Sequence, residues 1–495
     1  MTDVGQTLQA HEILLTGGNG FLGKVVLGLL LERFPDLKRL HLLMRSKRNL
    51  TARDRFYQET LASPALAPLV EKRGRAFFEE KISVVAGDVA EPNCGLAASD
   101  LDSLAGKAGV ILNCAGLVEF YPPLEEAFRA NVDGVAHVVE LAKRLGARLA
   151  HVSTCFVCGE GDGLVEETQP IPGFYPRRKG PSDASFDCHA EIRYCRERMR
   201  QIRGSRGGEP GAAAARSKEI TRRLTDLGRQ RAEHWGWVNT YTYSKSLGEQ
   251  IIAAEKDLAW TIIRPAIIEG ALRFPFPGWI EGGRTSAPLV LMALSGLKHW
   301  PVRRDAPLEV TPVDLVASAI LVITAALVSG RHEPVYQLGT ADVNPILLEP
   351  LVEMLAGEVR FVSPEQARTR RVRLQKRLSR AQTVLAGVKK KLDTTGLPGK
   401  GPLAGLSTAL RARGLQASLR EQTLEQYLPF ILHNRYIFES ENIRAAYSLL
   451  SERDRRMLPW DPERIDWEDY WINNQVKGIE KWIQPEAVKE WALKI

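Results

Sequence analysis

No apolar run in this chain is long enough to cross a bilayer as a helix, which takes about 20 residues. The longest, Leu315 to Val328, stops at 14 residues and follows directly on Asp314, so a buried helix is expected there. The first ten residues are polar, and no secretory signal is expected. Cysteine is scarce. The six (Cys94, Cys114, Cys155, Cys158, Cys188, Cys195) show no disulfide-framework spacing and suit a reducing cytoplasm. Cys155 and Cys158 form a C-x-x-C, but no second pair completes a metal set, because Cys188 and Cys195 stand seven apart. Two small buried residues at a strand end are expected, and no metal.

Positive charge is in excess, at net +8, but it is not a general property of the surface. Residues 190–235 carry 12 Lys/Arg against 6 Asp/Glu, and residues 364–400 carry 11 against 2. These two segments hold +6 and +9, which leaves the rest of the chain near −7. No basic-plus-aromatic module accompanies either segment, so nucleic acid is not an expected partner.

The chain is organised around Thr16-Gly17-Gly18-Asn19-Gly20-Phe21-Leu22-Gly23, which follows the apolar run Ile13-Leu14-Leu15 and opens an apolar helical segment ending before Pro35. Strand, glycine turn and helix in that order form a nucleotide-binding unit. The glycines allow a tight turn and close approach to a pyrophosphate, and the helix N-terminus offers free N–H groups to it. Arg39–Met44, Ile82–Ala86, Val110–Asn113 and Arg148–Val152 read as further strands separated by helical segments. That alternation predicts an α/β fold with a doubly wound parallel sheet, its ligand crevice at the strand C-terminal ends.

The end of the second strand bears on the cofactor. An NAD site places an acid there for the ribose hydroxyls; this chain places Arg45, Ser46, Lys47 and Arg48, which suit a 2′-phosphate, so NADPH is expected. Asp88, with Val89 beside it, ends the third strand, where an acid can meet an adenine amino group. After the fourth strand, Asn113, Ala115 and Gly116 let the backbone approach the cofactor, and Asn131 lies near the start of the next helix.

The fifth strand ends in Ser153-Thr154, and Tyr241-Thr242-Tyr243-Ser244-Lys245 follows far downstream. Tyr241 and Lys245 are i and i+4 and share one helix face, whereas Tyr243 points elsewhere. A hydride reaching a carbonyl leaves an alkoxide that needs a proton. Tyr241 would supply it, Lys245 and a positive nicotinamide would lower its pKa from about 10, and Thr154 would hold the carbonyl oxygen. Lys245 would also hold the nicotinamide ribose.

With these residues in hand the chain resembles an extended short-chain dehydrogenase/reductase, and more narrowly the fatty acyl-CoA reductases. The resemblance is carried by Asn239 to Lys245, Ile263-Arg264-Pro265-Ala266-Ile267-Ile268 and Pro275 to Ile280. It continues through Pro312-Val313-Asp314, Val335 to Gly339, Phe438 to Asn442 and Ile465 to Trp471, so it spans nearly the whole chain. Two departures are local: Cys155 and Cys158 stand where relatives often carry Ala and Tyr, and Asn113-Cys114-Ala115-Gly116 replaces a commoner His-x-Ala-Ala. The resemblance implies Pro265 and Ile267 at the cofactor. It also implies reduction of a long-chain acyl-CoA, or an acyl carrier protein thioester, through an aldehyde to a primary alcohol. The alternatives are a reductase stopping at the aldehyde, a nucleotide-sugar epimerase or dehydratase, and a nucleotide-sensing protein without turnover.

Expected organisation is a Rossmann-type reductase domain over 1–350 with a basic insertion at about 170–236, then a mostly helical domain over 351–495. The insertion reads as a lid or as a packed helical hairpin. Leu374, Leu378, Ala381, Leu385, Val388 and Leu392 make an apolar stripe beside arginines and lysines. That stripe fits a membrane surface, coenzyme A phosphates or ordinary packing. The tail tryptophans (Trp460, Trp467, Trp471, Trp482, Trp491) read as core or interdomain packing residues, with a part in shaping an acyl tunnel as the alternative. The expected location is the cytoplasm, with peripheral contact at the inner membrane face.

Overall fold

In a computed structural model of the chain, residues 3–47, 49–180, 183–204, 213–283, 285–363, 365, 366, 369, 373 and 420–483 are described. Arg48, the amphipathic stretch Leu374–Leu392 and Trp491 lie outside them.

Seven strands form one parallel sheet: β1 Glu12–Thr16, β2 Leu40–Met44, β3 Ile82–Ala86, β4 Ala108–Asn113, β5 Arg148–Val152, β6 Trp260–Pro265 and β7 Val335–Leu338. Their order is β7-β6-β5-β4-β1-β2-β3. The chain runs outward from β1 to β3 and then returns to β4 on the other side of β1. The gap between β1 and β4 is therefore the switch point where such sheets bind ligand. The central strands are near-continuous apolar runs because both faces are covered: all of β2 is buried, as are four of the five residues of β1 and of β5.

Helix α1 (Phe21–Arg33) leaves the glycine turn, α2 (Gly134–Leu145) precedes β5, and α3 (Cys188–Gly204) and α4 (Ala213–Trp235) form the insertion. Helix α5 (Thr240–Ala253) carries the Tyr-x-x-x-Lys, and α6 (Val313–Val328) precedes β7. All sixteen residues of α6 are buried, so the 14-residue apolar run is an all-round buried helix packed on α1 and the central strands. None of the described helices is long and apolar enough to cross a membrane.

The insertion is a helical hairpin built into a core. Ile192, Cys195 and Ile202 of α3 and Leu224 and Leu227 of α4 share one apolar cluster with Trp237, Tyr243 and Leu247. Tyr243 donates to Glu191 Oε1 at 2.6 Å, and Arg231 holds the same carboxylate at 2.8 and 2.6 Å. The hairpin is thus fastened to the back of α5 through that tyrosine.

By its contacts the chain divides into two interleaved units. One comprises Met1–Thr285, Glu309–Pro345 and Tyr436–Ile479; the other comprises Ser286–Leu308, Ile346–Arg435 and Glu480–Ile495. The division does not follow the change of pattern near residue 350, because a large part of the tail returns to the sheet unit. Buried carboxylates fasten it there. Glu309 accepts from Phe438 N at 2.7 Å and Thr340 N at 3.0 Å, and Glu167 accepts from Gln337 N at 2.7 Å and Asn442 N at 2.8 Å. Tyr470 donates to Gly270 O at 2.7 Å, and Gly270 N to Gln475 at 2.9 Å. Trp460, Trp467 and Trp471 are buried, as packing residues are. The second unit contains helices Ala287–Leu294 and Leu348–Ala356 and a parallel pairing of His299–Trp300 with Arg360–Phe361.

Candidate active site

The glycine turn is shaped by close approach. Gly17 has φ +71°, and a Cβ there would lie 2.6 Å from the Cys114 carbonyl carbon and 2.7 Å from Ala115 N. Only glycine lets β1 and the loop after β4 run this close. A Cβ at Gly23 would collide with the Gly17 carbonyl, so α1 can start directly beneath the turn. At Gly20 the sole near atom is the turn's own Gly17 O, which leaves that side of the backbone open to a ligand. The Phe21 ring packs 5.1 Å from Trp279, and Leu22 is half-buried beside it in the chain.

Three register neighbours on β1, β4 and β5 form a buried hydrogen-bond chain across the switch point. Thr16 Oγ1 donates to Asn113 Oδ1 at 2.6 Å, and Asn113 Nδ2 meets His151 Nδ1 at 2.9 Å. Ala115 N donates back to Thr16 Oγ1 at 3.2 Å, fixing the loop after β4. Asn131 is turned to that loop: it accepts from Leu117 N at 2.9 Å and donates to Leu117 O and Ser244 Oγ, each at 3.0 Å. It therefore braces the loop against α5.

Asn239 caps α5 by accepting from Thr242 N at 2.9 Å. Lys245, buried on that helix, donates to Val152 O at 2.9 Å, at the end of β5. A Cβ at Gly116 would lie 2.8 Å from Lys245 Nζ and 3.2 Å from Asn131 Oδ1, so a glycine keeps the ammonium within reach of the crevice. The Thr154 side chain stands beside the Tyr241 phenol and favours its deprotonation. Thr154 Oγ1 in turn reaches Pro265 O at 3.5 Å, and Ile267 N pairs with Glu309 O at 3.1 Å just beyond. Thr154, Tyr241, Lys245 and Asn131, distant in sequence, thus gather around one strand end. Ser153 Oγ, buried at the same place, has no partner among the described residues.

Burial sets the protonation of this cluster. It pushes the Tyr241 phenol up to about 12, against the lowering effect of Thr154. It brings Lys245 down to about 8, opposed by Glu249. At Tyr241 desolvation outweighs the lowering influence of Thr154, and the phenol holds its proton at neutral pH.

The outer end of the crevice is different in kind. A cleft of about 540 Å³ is lined by Arg45, Ser46, Lys47, Arg55, Gly87, Asp88 and Glu91 among others. Asp88 N donates to Cys94 O at 2.8 Å, the Asp88 carboxylate accepts from Ala90 N at 3.0 Å, and Arg45 stands 3.7 Å from it. Val89 O pairs with His137 Nδ1 at 2.9 Å. Arg55 and Glu59 were not legible as site residues. Their i, i+4 spacing reads as an ordinary surface pair, yet Arg55 lines the cleft and Glu59 binds both Arg55 and Lys47. Asn19 is held by the same segment, donating to Glu59 at 2.8 Å and accepting from Thr60 at 2.8 Å. Among the described residues no group of side chains could hold a metal, and Cys155 and Cys158 are buried with their thiols pushed up.

A parallel sheet with this glycine turn and a helix-borne Tyr-x-x-x-Lys defines the extended short-chain dehydrogenase/reductase fold. The chain belongs to the NAD-binding family described as male sterility protein, whose family model matches residues 15–320. It is 28% identical to a probable fatty acyl-CoA reductase 4 of Arabidopsis thaliana over 96% of this chain and 97% of that one. It is 28% identical to the alcohol-forming fatty acyl-CoA reductase of Simmondsia chinensis over 97% and 98%. Among solved structures it resembles the terminal R domain of the myxalamid PKS-NRPS pathway (TM-score 0.55, 19% identity, 92% and 90% coverage). It also resembles a non-ribosomal peptide synthetase reductase domain of Mycobacterium tuberculosis (TM-score 0.54, 20%, 97% and 95%). At those identities the structures speak for the fold. The family and the glycine cradle together assign a nicotinamide dinucleotide as the cofactor class.

Proposed function

We propose that the protein reduces long-chain fatty acyl-CoA with NADPH, through an aldehyde, to a primary alcohol. The observation that carries the reading is the gathering of Thr154, Tyr241, Lys245 and Asn131 at the end of β5, opposite a cation-lined cleft. The names of full-length relatives supply the substrate class. Arg45, Lys47 and Arg55 fit a 2′-phosphate, and the open glycine turn fits a pyrophosphate.

The bound nicotinamide would supply hydride to the thioester carbonyl. Tyr241, half-buried and held in its protonated form by desolvation, gives its proton to the carbonyl oxygen as negative charge develops there. Thr154 donates to the same oxygen and so stabilises that charge. Lys245, cationic below about pH 8, favours the phenolate left on Tyr241 and positions the ribose. When the hemithioacetal collapses, its C–S bond breaks, the hydroxyl proton returns to Tyr241, and the sulfur leaves as a thiolate that takes a proton from water. The aldehyde then passes through the same proton transfer once more.

The test is NADPH oxidation by the purified protein with palmitoyl-CoA, with products identified by mass spectrometry. Two NADPH per thiol released and hexadecanol as product is the expected result. One NADPH and accumulated hexadecanal would overturn alcohol formation, and no oxidation across chain lengths would overturn the acyl-CoA assignment. Acyl carrier protein thioesters, which present the same carbonyl, are the second substrate to assay. Peripheral membrane contact through the Leu374–Leu392 stripe is read by vesicle sedimentation.

A further inference from the structure

The cations of the outer cleft share one organiser that does not line the cleft itself. Glu59 accepts from Lys47 Nζ at 2.6 Å, from Arg55 Nε and Nη2 at 3.0 and 2.7 Å, and from Asn19 Nδ2 at 2.8 Å. Lys47, Arg55 and Arg45 line the cleft. Arg55 also donates to Arg45 O at 2.5 Å, which fixes the backbone at the end of β2. The segment Phe56–Leu61 is a π-helix. Adjacent residues of a regular α-helix point about 100° apart; here Glu59 and Thr60 both reach Asn19. One carboxylate therefore ties the loop after β2 to the glycine turn.

We propose that Glu59 is a positioning residue for cofactor choice, holding Lys47 and Arg55 on the cleft wall where a 2′-phosphate meets them. The proposal rests on the NADPH reading above. Asp88 and Glu91 line the same cleft, and Arg45 already leans toward Asp88 at 3.7 Å. Without Glu59, the lysine and the arginine would have those acids as their nearest counter-charges, and pairing there would close the space the phosphate needs. The Arg55 pair holds Glu59 as a carboxylate down to about pH 2, so this anchor is constant across the working range.

The experiment compares dissociation constants for NADPH, NADH and adenosine 2′,5′-bisphosphate by calorimetry on the full chain. In Glu59→Gln, NADPH and the bisphosphate are expected to weaken about tenfold or more while NADH moves less than twofold, since charge-assisted pairs carry the discrimination. Lys47→Met, at an exposed position that leaves the fold intact, is expected to shift the NADPH:NADH ratio in the same direction. Thr60→Val, which removes only the second Asn19 contact, is expected to leave the ratio unchanged. A ratio unchanged in both Glu59→Gln and Lys47→Met, or equal weakening of all three ligands, overturns the positioning role. Wild-type protein that binds NADH as tightly as NADPH overturns the cofactor reading itself.

Discussion

Around the ends of β2 and β3 two of the cations that face the crevice are left in water, while Arg55 beside them is buried. Arg45 and Lys47 are 69% and 58% exposed. Around the ends of β4, β5 and β6 the polar side chains are enclosed, and burial drives them toward their neutral forms. Tyr241 is pushed up, Lys245 down, Cys114 up to about 12, and the His151 ring well below its ordinary value. Recognising a phosphate takes fixed charge at low desolvation cost, whereas moving a proton takes groups near neutrality. One sheet provides both because β1, beside the switch point, stands between the two sets of strand ends.

The largest expected contrast comes from the enclosed end. Tyr241→Phe should lower turnover by about 10³- to 10⁴-fold with NADPH affinity unchanged, since it removes a proton donor and leaves the outer cleft alone. A variant keeping a tenth of wild-type turnover would refute its role. Next is the buried ion pair behind it, where Arg264 on β6 meets Glu249 on α5 at 2.5 Å. Arg264→Met strands a buried carboxylate and should cost about 3–5 kcal/mol in urea unfolding. At the outer end, Arg55→Met should raise the NADPH KM about 10- to 100-fold while kcat stays within twofold, as loss of a phosphate contact predicts. An equal fall in kcat would place Arg55 in the chemistry instead.

Alkaline pH should separate activity from stability at Lys245. Its folded pKa, about 8, lies below the 10.5 of an unburied lysine. The unfolded chain therefore binds more protons between those values, and this group's contribution to stability rises with pH across that window. Turnover should fall about tenfold per pH unit above 8 as the ammonium is lost, while the melting temperature, referred to Lys245→Met, climbs. Smallest of all, loss of the exposed pair Lys143–Glu255 at 2.8 Å in Lys143→Ala should leave the urea midpoint within the scatter of the wild-type measurement.

Much of this was readable in the sequence. The first five strands, the glycine turn and the Tyr-x-x-x-Lys helix each carry a local pattern, and the structure places them where periodicity and turn chemistry put them. The cluster of Thr154, Tyr241 and Lys245 followed from the chemistry needed at a strand end. Arg55 and Glu59 were hidden because an Arg-x-x-x-Glu in a charged helical stretch looks like any solvated pair; only a π-turn brings Glu59 to Asn19. That Asn131 braces Leu117 and Ser244 was not legible, because those contacts depend on which loop folds beside it. Nothing local in Phe438 or Tyr470 marks the return of the tail to the sheet, because their partners lie over a hundred residues upstream.

That return has a consequence for synthesis on the ribosome. The seven strands are complete at Leu338, but the sheet unit draws on residues as late as Ile479, so its packing is finished only once the tail has been made. Until Phe438 and Asn442 emerge, Glu309 and Glu167 lack backbone donors that later hold them in the interior. The nascent protein must wait in a half-built state for most of its translation, and a chain cut at 350 should be captured by chaperones or proteases instead of folding.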